Sequence, residues 1–174
     1  MLTVESEAQA GAAADHSVTL PFVLRQKSRL RADLDGGGEV AIYLSRGHVM
    51  RQGDLLLADD GSVVEVRAAD ETVSTVTASD ALQLLRGAYH LGNRHVPLQV
   101  SDGFVRYQHD HVLDDMVREL GLSVKVEQAP FEPEGGAYGG GHSHGDGDDG
   151  DDGHDGEHGH DHGHDHGHGH HHHG

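Results

Sequence analysis

Histidine is concentrated at the carboxyl end of the chain, where 13 of the 19 histidines lie between His142 and Gly174. They alternate with Gly and Asp, most regularly over residues 159–166, and only His170 to His173 are contiguous, unlike the unbroken block of a purification tag. Neutral imidazole is the commonest protein ligand for divalent transition metals, so this pattern predicts metal binding. The candidate ligands in this tail are His142, His144, His154, His158, His160, His162, His164, His166, His168, His170, His171, His172 and His173.

Three more candidate ligands, His95, His109 and His111, lie upstream of the tail. Histidines two positions apart do not share a helix face. Asp110 between them is a possible helix cap, however, and at a helix start the chain is still extended, so both rings could serve one ion. A loop histidine bonded to backbone is the alternative explanation for His95.

Composition restricts the type of metal site. The chain has no Cys, which excludes disulfides, iron–sulfur clusters and Cys-based zinc fingers, and it has only three Met. Imidazole and carboxylate remain, a ligand set that suits Ni(II), Zn(II), Co(II) or Cu(II). The ligand type alone does not select among these metals.

The net charge of −18 disfavours nucleic acid and anionic membranes as partners. No apolar run approaches the length of a membrane span, and residues 1–17 lack the basic start and apolar stretch of a signal peptide. We therefore expect a cytoplasmic protein with a flexible amino terminus over residues 1–17.

The elements that must position these histidines fall into two predicted domains. Over residues 18–73 short apolar alternations and turn signals indicate a β-rich domain, with one hairpin turning at Asp35 to Gly38 and a second at Asp59 to Gly61. Such a pattern is typical of strands, not helices.

Over residues 74–132 the pattern predicts the order β-α-β-β-α-β of a ferredoxin-like domain. Ser79 or Asp80 would cap the first helix and Asp110 the second. Predicted inward positions are Ala81, Leu84, Leu85 and Ala88 on the first helix, and Val112, Leu113, Met116, Val117 and Leu120 on the second.

Residues 133–174 hold almost nothing to bury, so we expect a disordered, Gly/Asp/His-rich metal-binding tail. The predicted fold class is therefore α+β: a β-rich domain, a ferredoxin-like domain that binds metal and dimerises, and a disordered tail.

The motif at residues 92–95 (Gly-Asn-Arg-His), the run at 107–116 (Tyr-Gln-His-Asp-His-Val-Leu-Asp-Asp-Met) and the His-rich tail together resemble the urease accessory protein E (UreE) family of nickel metallochaperones. Residues 45–47 (Ser-Arg-Gly) and 53–56 (Gly-Asp-Leu-Leu) resemble the first domain of that family. The resemblance covers roughly residues 18–132.

This resemblance implies a chaperone, not an enzyme, which delivers Ni(II) to apo-urease together with other accessory proteins, including the accessory GTPase. It implies a first domain similar to the peptide-binding domain of J-domain co-chaperones, and a homodimer formed through the second domain. The histidine matching His95 binds nickel at the dimer interface, one from each chain, and those matching His109 and His111 are secondary ligands in some members.

Two other functions remain open from the residues. A metalloenzyme would need a shaped pocket, a general base and usually three ligands on one chain, and no motif clearly supplies them. A metal storage or buffering protein would need the tail alone. An EF-hand calcium site at Asp146 to Gly150 is excluded, because Gly150 stands where a ligand is required.

Overall fold

The structure, a computed structural model, describes residues 1–135 of the chain. Within that range there are a six-stranded sheet, a four-stranded sheet and three helices, none of them long and apolar enough to cross a membrane. In chain order the elements are β1 (Leu2–Glu7), β2 (His16–Leu20), α1 (Phe22–Arg25), β3 (Arg29–Asp33), β4 (Glu39–Tyr43), β5 (Leu55–Ala58), β6 (Val63–Ala68), β7 (Asp70–Thr77), α2 (Ala81–Gly92), β8 (Gln99–Ser101), β9 (Phe104–Gln108), α3 (His111–Glu119) and β10 (Ser123–Pro130).

The first sheet is mixed, with strand order β2-β6-β5-β1-β4-β3. Both predicted hairpins are confirmed, because β3 pairs antiparallel with β4 and β5 pairs antiparallel with β6. Alternate residues of these strands share one face, and that face supplies most of a continuous apolar core. The core consists of Val4, Val18, Leu20, Leu34, Val40, Ile42, Met50, Leu56, Ala58, Val64 and Val66.

The amino terminus is not the flexible segment predicted for residues 1–17. Residues Leu2–Glu7 form β1, which lies between β4 and β5, and His16 begins β2. The prediction was wrong because Leu2 and Val4 alone mark β1, too short an alternation to identify a strand. Without β1, the facing edges of β4 and β5 would have unpaired backbone N–H and C=O groups.

The second sheet is antiparallel and has the strand order β10-β7-β9-β8. Its first strand, β7, pairs with β10 from Asp70 onward, so the predicted boundary between residues 73 and 74 falls inside this strand. Only Ala69 separates β6 from β7, with neither Gly nor Pro between them, and the sequence therefore carries no punctuation at the true boundary.

The longer helices α2 and α3 begin where the sequence predicts. Asp80 accepts a hydrogen bond from the backbone N–H of Gln83 at 2.9 Å. Asp110 accepts two, from Val112 at 2.8 Å and Leu113 at 3.1 Å. A side-chain cap of this kind stabilises a helix start by about 1 kcal/mol.

Helix α2 is rotated relative to its predicted apolar face. Leu84 and Ala88 pack on the second sheet as expected, but Leu85 is 67% exposed. Gly87 explains the rotation, because it is buried and a Cβ at this position would lie 3.1 Å from Cδ2 of Leu122. The glycine allows the helix to approach Leu122 closely, which turns Leu85 outward.

Three further positions predicted to face inward, Ala81, Val112 and Leu120, are exposed as well. On α3 the side facing the sheet is occupied by Asp114 and Val117, both buried. The buried side of α3 therefore includes a carboxylate, and the helix is turned from the orientation that hydrophobicity alone predicts.

After β10 the chain returns to the first sheet and joins the two. Phe131 is fully buried and packs edge-on against Phe22, with ring centroids 5.4 Å apart. The equally buried guanidinium of Arg25 bonds the Phe131 carbonyl oxygen and the Glu132 carboxylate, and donates to the Met50 carbonyl oxygen at 3.1 Å. The junction therefore combines this aromatic contact with the hydrogen bonds of one buried arginine.

Residues 133 and 134, which were predicted to begin the tail, contact the folded part of the chain instead. Pro133 is buried and its carbonyl oxygen accepts from Arg51 Nη1 at 2.5 Å, while the backbone N–H of Glu134 donates to Leu98 at 2.9 Å. The remainder of the predicted tail, residues 136–174, lies outside the described residues.

Candidate metal site

His95 lies in the loop between α2 and β8, and it is exposed. Its backbone N–H donates to the Gly92 carbonyl oxygen at 3.0 Å, and its φ of 56° is the only positive φ of a non-glycine residue among the described residues. The left-handed conformation costs a residue with a Cβ about 1–2 kcal/mol. Such strain is concentrated at functional sites, which makes this loop the first candidate.

The loop of His95 forms one wall of a cavity of about 630 Å³ at the junction of the two sheets. Residues of the first half of the chain and the last described residues also line it. The lining residues are Phe22, Gln26, Gly47, Val49, Arg51, His95, Val96, Pro97, Leu98, Val100, Glu134 and Gly135.

His109 immediately follows β9 and is held by three contacts. Its backbone N–H donates to the Thr72 carbonyl oxygen at 3.0 Å. Its ring nitrogen Nδ1 lies 3.1 Å from Ser74 Oγ and 3.3 Å from Asp114 Oδ2, while 37% of the side chain stays exposed. Unlike His95, this ring has a fixed inner edge.

Asp114, on α3, is only 2% exposed. Its Oδ1 accepts a hydrogen bond from the Tyr107 hydroxyl at 2.7 Å. Burial, together with this bond to Asp114, raises the pKa of Tyr107 above its usual range. This buried pair could have been predicted from residue spacing, because Tyr107 faces inward in alternation with Val105, and Asp114 shares its helix face with Val117.

His111 is the first residue of α3 and is exposed. Between it and His109 lies Asp110, whose backbone is extended (φ −146°, ψ 119°), as the sequence predicts for a helix start. The hydrogen bonds that Asp110 accepts from Leu113 and Val112 hold its pKa below the usual range, so its carboxylate is negative beside both rings.

Two sequence profiles match this chain: UreE urease accessory protein, N-terminal domain, over residues 3–69, and UreE urease accessory protein, C-terminal domain, over residues 71–174. The chain belongs to the UreE family. The change from one profile to the other coincides with the start of β7 at Asp70.

The chain is similar to several urease accessory proteins UreE along most of its length. It is 62% identical to the protein of Alkalilimnicola ehrlichii over 140 residues, which is 80% of this chain and 86% of the relative. It is 59% identical to that of Alcanivorax borkumensis over 73% of this chain and 76% of the relative. For Pseudomonas putida W619 the identity is 63%, over 70% of this chain and 76% of the relative.

Residues 1–135 of this UreE family member do not bring three or more His, Cys, Asp or Glu side chains together as a metal site. The strand register does place the loop of His95 and His109 at the same end of the second sheet, since Gln99 at the start of β8 pairs with Arg106 near the end of β9. Within the described residues, one copy therefore presents few candidate ligands at each position.

The other histidines of the described range are not placed as ligands. His16 lies in β2, His48 Nδ1 lies 3.5 Å from Glu7 Oε1, and the His90 ring packs against Tyr89 with centroids 5.4 Å apart. The 13 candidate ligands of the tail, His142, His144, His154, His158, His160, His162, His164, His166, His168, His170, His171, His172 and His173, lie outside the described residues.

Proposed function

We propose that the protein is a nickel metallochaperone, not an enzyme, which binds Ni(II) and delivers it to apo-urease while the urease metal centre is assembled. The observation that carries the proposal is the exposed, strained His95 loop in a chain of the UreE family. Urease is the proposed target because the relatives of this chain are urease accessory proteins. The proposed partners in the cytoplasm are the other urease accessory proteins, including the accessory GTPase.

His95 is the proposed delivery ligand. A chaperone must release its cargo, and an exposed site with few protein ligands exchanges metal more readily than a closed four-ligand cage. A symmetric pair of His95 side chains, one from each of two copies, gives such an open site with only two imidazoles. The cavity beside the loop leaves room for the acceptor to approach.

A homodimer through the second domain would bring the two His95 side chains together. An apolar stripe on α2 supports this arrangement, because Leu82, Leu85 and Tyr89 are 58%, 67% and 67% exposed on the helix that leads into the His95 loop. A second copy that covered this stripe would bury its apolar surface next to the proposed site. The sheet order β10-β7-β9-β8 with two helices supports the ferredoxin-like description of this domain.

The other histidines are proposed to gather cargo. His109 and His111 would be secondary ligands, and the tail imidazoles would capture Ni(II), with Zn(II), Cu(II) or Co(II) as competing ions. Because the tail is covalently attached, its weak sites act at high local concentration. We further propose that the first domain resembles the peptide-binding domain of J-domain co-chaperones and contacts a protein partner.

The deciding experiment compares His95→Ala with the matched control His90→Ala in the full chain. His90 is an exposed histidine on α2, five positions earlier. Nickel stoichiometry is measured by equilibrium dialysis, and delivery is measured as activation of purified apo-urease by the nickel-loaded protein. We expect His95→Ala to keep most of the nickel capacity, which the tail supplies, and to slow urease activation at least tenfold, while His90→Ala behaves as the wild type.

The same experiment tests the alternative of a storage or buffering protein. A metal-buffering protein releases nickel without a dedicated delivery ligand. In that case the nickel-loaded His95→Ala variant would activate apo-urease as fast as the wild type. That result would reject the chaperone proposal.

A further inference from the structure

The inner edge of His109 meets two groups of different hydrogen-bonding character. Ser74 Oγ can donate or accept, whereas the Asp114 carboxylate only accepts. Oδ2 of Asp114 lies 3.3 Å from His109 Nδ1 and 3.7 Å from Arg118 Nη2, and Oδ1 accepts from the Tyr107 hydroxyl. Because this carboxylate can only accept, the ring nitrogen 3.3 Å from it favours carrying a proton, so the proton on His109 belongs on Nδ1.

A neutral imidazole with its proton on Nδ1 has its lone pair on Nε2. Within residues 1–135 no group forms a hydrogen bond with Nε2 of His109. The other tautomer would direct a lone pair at the carboxylate oxygen of Asp114, which is unfavourable, and its only metal-binding nitrogen would face the protein interior.

We propose that Asp114 is a positioning residue for nickel: by accepting a hydrogen bond from His109 Nδ1, it fixes the tautomer in which Nε2 is the metal ligand and faces outward. This inference rests on the proposed function, since it assumes that His109 is a secondary nickel ligand. In this arrangement Asp114, a buried acid of α3, orients the His109 imidazole at the end of β9 without touching the metal itself.

The arrangement is rigid because both partners of the proposed hydrogen bond are held in place. Asp114 is 2% exposed and bonded to Tyr107, itself 1% exposed, while the backbone of His109 is bonded to Thr72. A carboxylate or carbonyl behind a ligating histidine orients the ring and raises its basicity, and losing such a group typically costs about 10–100-fold in metal affinity.

The first test uses the metal-free full chain. Two-bond ¹H–¹⁵N correlation spectra near pH 8 report which ring nitrogen of each histidine is protonated, with His109 assigned by its absence in His109→Gln. We expect wild-type His109 to be protonated on Nδ1, and Asp114→Asn to lose this preference. A wild-type ring protonated mainly on Nε2 overturns the inference, even if Asp114→Asn fails to fold.

Asp115→Asn is the matched control. Asp115 lies next to Asp114 on α3 and also contacts Arg118, at 3.1 Å, but its side chain is 70% exposed. This substitution removes the same charge from the same helix, so we expect the His109 tautomer to be unchanged. A change of tautomer in Asp115→Asn equal to that in Asp114→Asn would show a general charge effect and contradict a specific role for Asp114.

The second test adds nickel chloride and follows paramagnetic broadening of the His109 ring signals, which separates this residue from the tail. Asp114→Asn should need about 10–100 times more free Ni(II) than the wild type for equal broadening. Equal requirements in the two proteins overturn the inference. The tautomer of the metal-free protein and the His95→Ala delivery assay are independent, so failure of the inference is distinguishable from failure of the proposed function.

Discussion

His95 and His109 leave the same end of the second sheet, yet the protein holds them in opposite ways. His95 lies in a strained, exposed loop whose cavity is built partly by the first domain. His109 is fixed by Ser74 and Asp114, all within the second domain. Under the proposed function, a loosely held ligand suits the transfer of an ion and an oriented ligand suits its capture, so the two histidines would serve two successive steps.

The largest effect is expected at the junction of the two sheets. The cavity beside His95 lies at this junction, whereas the anchor of His109 does not. Arg25→Met leaves the Glu132 carboxylate and the Phe131 carbonyl oxygen without their buried partner. We expect the free energy of unfolding, measured with urea, to fall by about 3–5 kcal/mol. In the protein that remains folded, the His109 tautomer should be unchanged.

Arg31→Met is the control for this substitution, because Arg31 is an exposed arginine of β3 in the same domain. It should change the free energy of unfolding by less than about 0.5 kcal/mol. Equal losses for the two variants would show that the junction is not held by Arg25.

The next effect concerns the anchor of His109. Asp114→Ala leaves the buried Tyr107 hydroxyl and the inner edge of His109 without an acceptor, so the free energy of unfolding should fall by about 1–3 kcal/mol. Thermal and urea unfolding of Asp114→Ala and Asp115→Ala would measure it. If the exposed Asp115 proved as costly to remove, the buried network would not be the cause.

The strained loop should respond in the opposite direction. His95→Gly removes the side chain at a φ of 56°, where glycine is unstrained, so the free energy of unfolding should stay constant or rise by up to about 1 kcal/mol. His109→Gly should lower it, because the hydrogen bond with Ser74 and the contact with the Asp114 carboxylate are lost. Urea titrations of both variants test the contrast, which disappears if His95→Gly is clearly destabilising.

The smallest effect is confined to alkaline pH. Folding raises the pKa of Tyr107 above the unfolded value of about 10. The contribution of the protonated hydroxyl to the free energy of unfolding is therefore fully present below pH 10 and is lost as the pH rises above that value. The stability difference between wild type and Tyr107→Phe should be constant from pH 7 to 9 and shrink above pH 10. A difference that stays constant up to pH 11 would contradict the raised pKa.

The sequence predicts the local features of the molecule better than its long-range ones. The caps at Asp80 and Asp110 and the two hairpins depend on neighbouring residues, and all are found. Strand β1 was missed because it is stabilised by pairing with β4 and β5, whose residues come about 40 or more positions later in the sequence. A pattern of two apolar residues cannot report that pairing.

In the candidate site, too, local features are predictable from the sequence and long-range ones are not. The sequence singles out His95 by its motif, but its left-handed backbone depends on the loop that connects α2 to β8. Burial of Asp114 depends on the packing of α3 against the sheet, where Tyr107 supplies a donor. Helical periodicity treats a carboxylate as a surface residue and therefore places Asp114 outside, since burying an acid is favourable only with such a partner.

The close approach of Gly87 to Leu122 has a consequence for the evolution of the family. A methyl group at position 87 would meet the Leu122 side chain at 3.1 Å and lift α2, together with the loop that follows it, by a few tenths of an ångström. Substitutions at these two positions should therefore be correlated among relatives, with a shorter side chain at 122 wherever 87 is not glycine. Selection for the geometry of the His95 loop would then act on two residues that are not themselves proposed metal ligands.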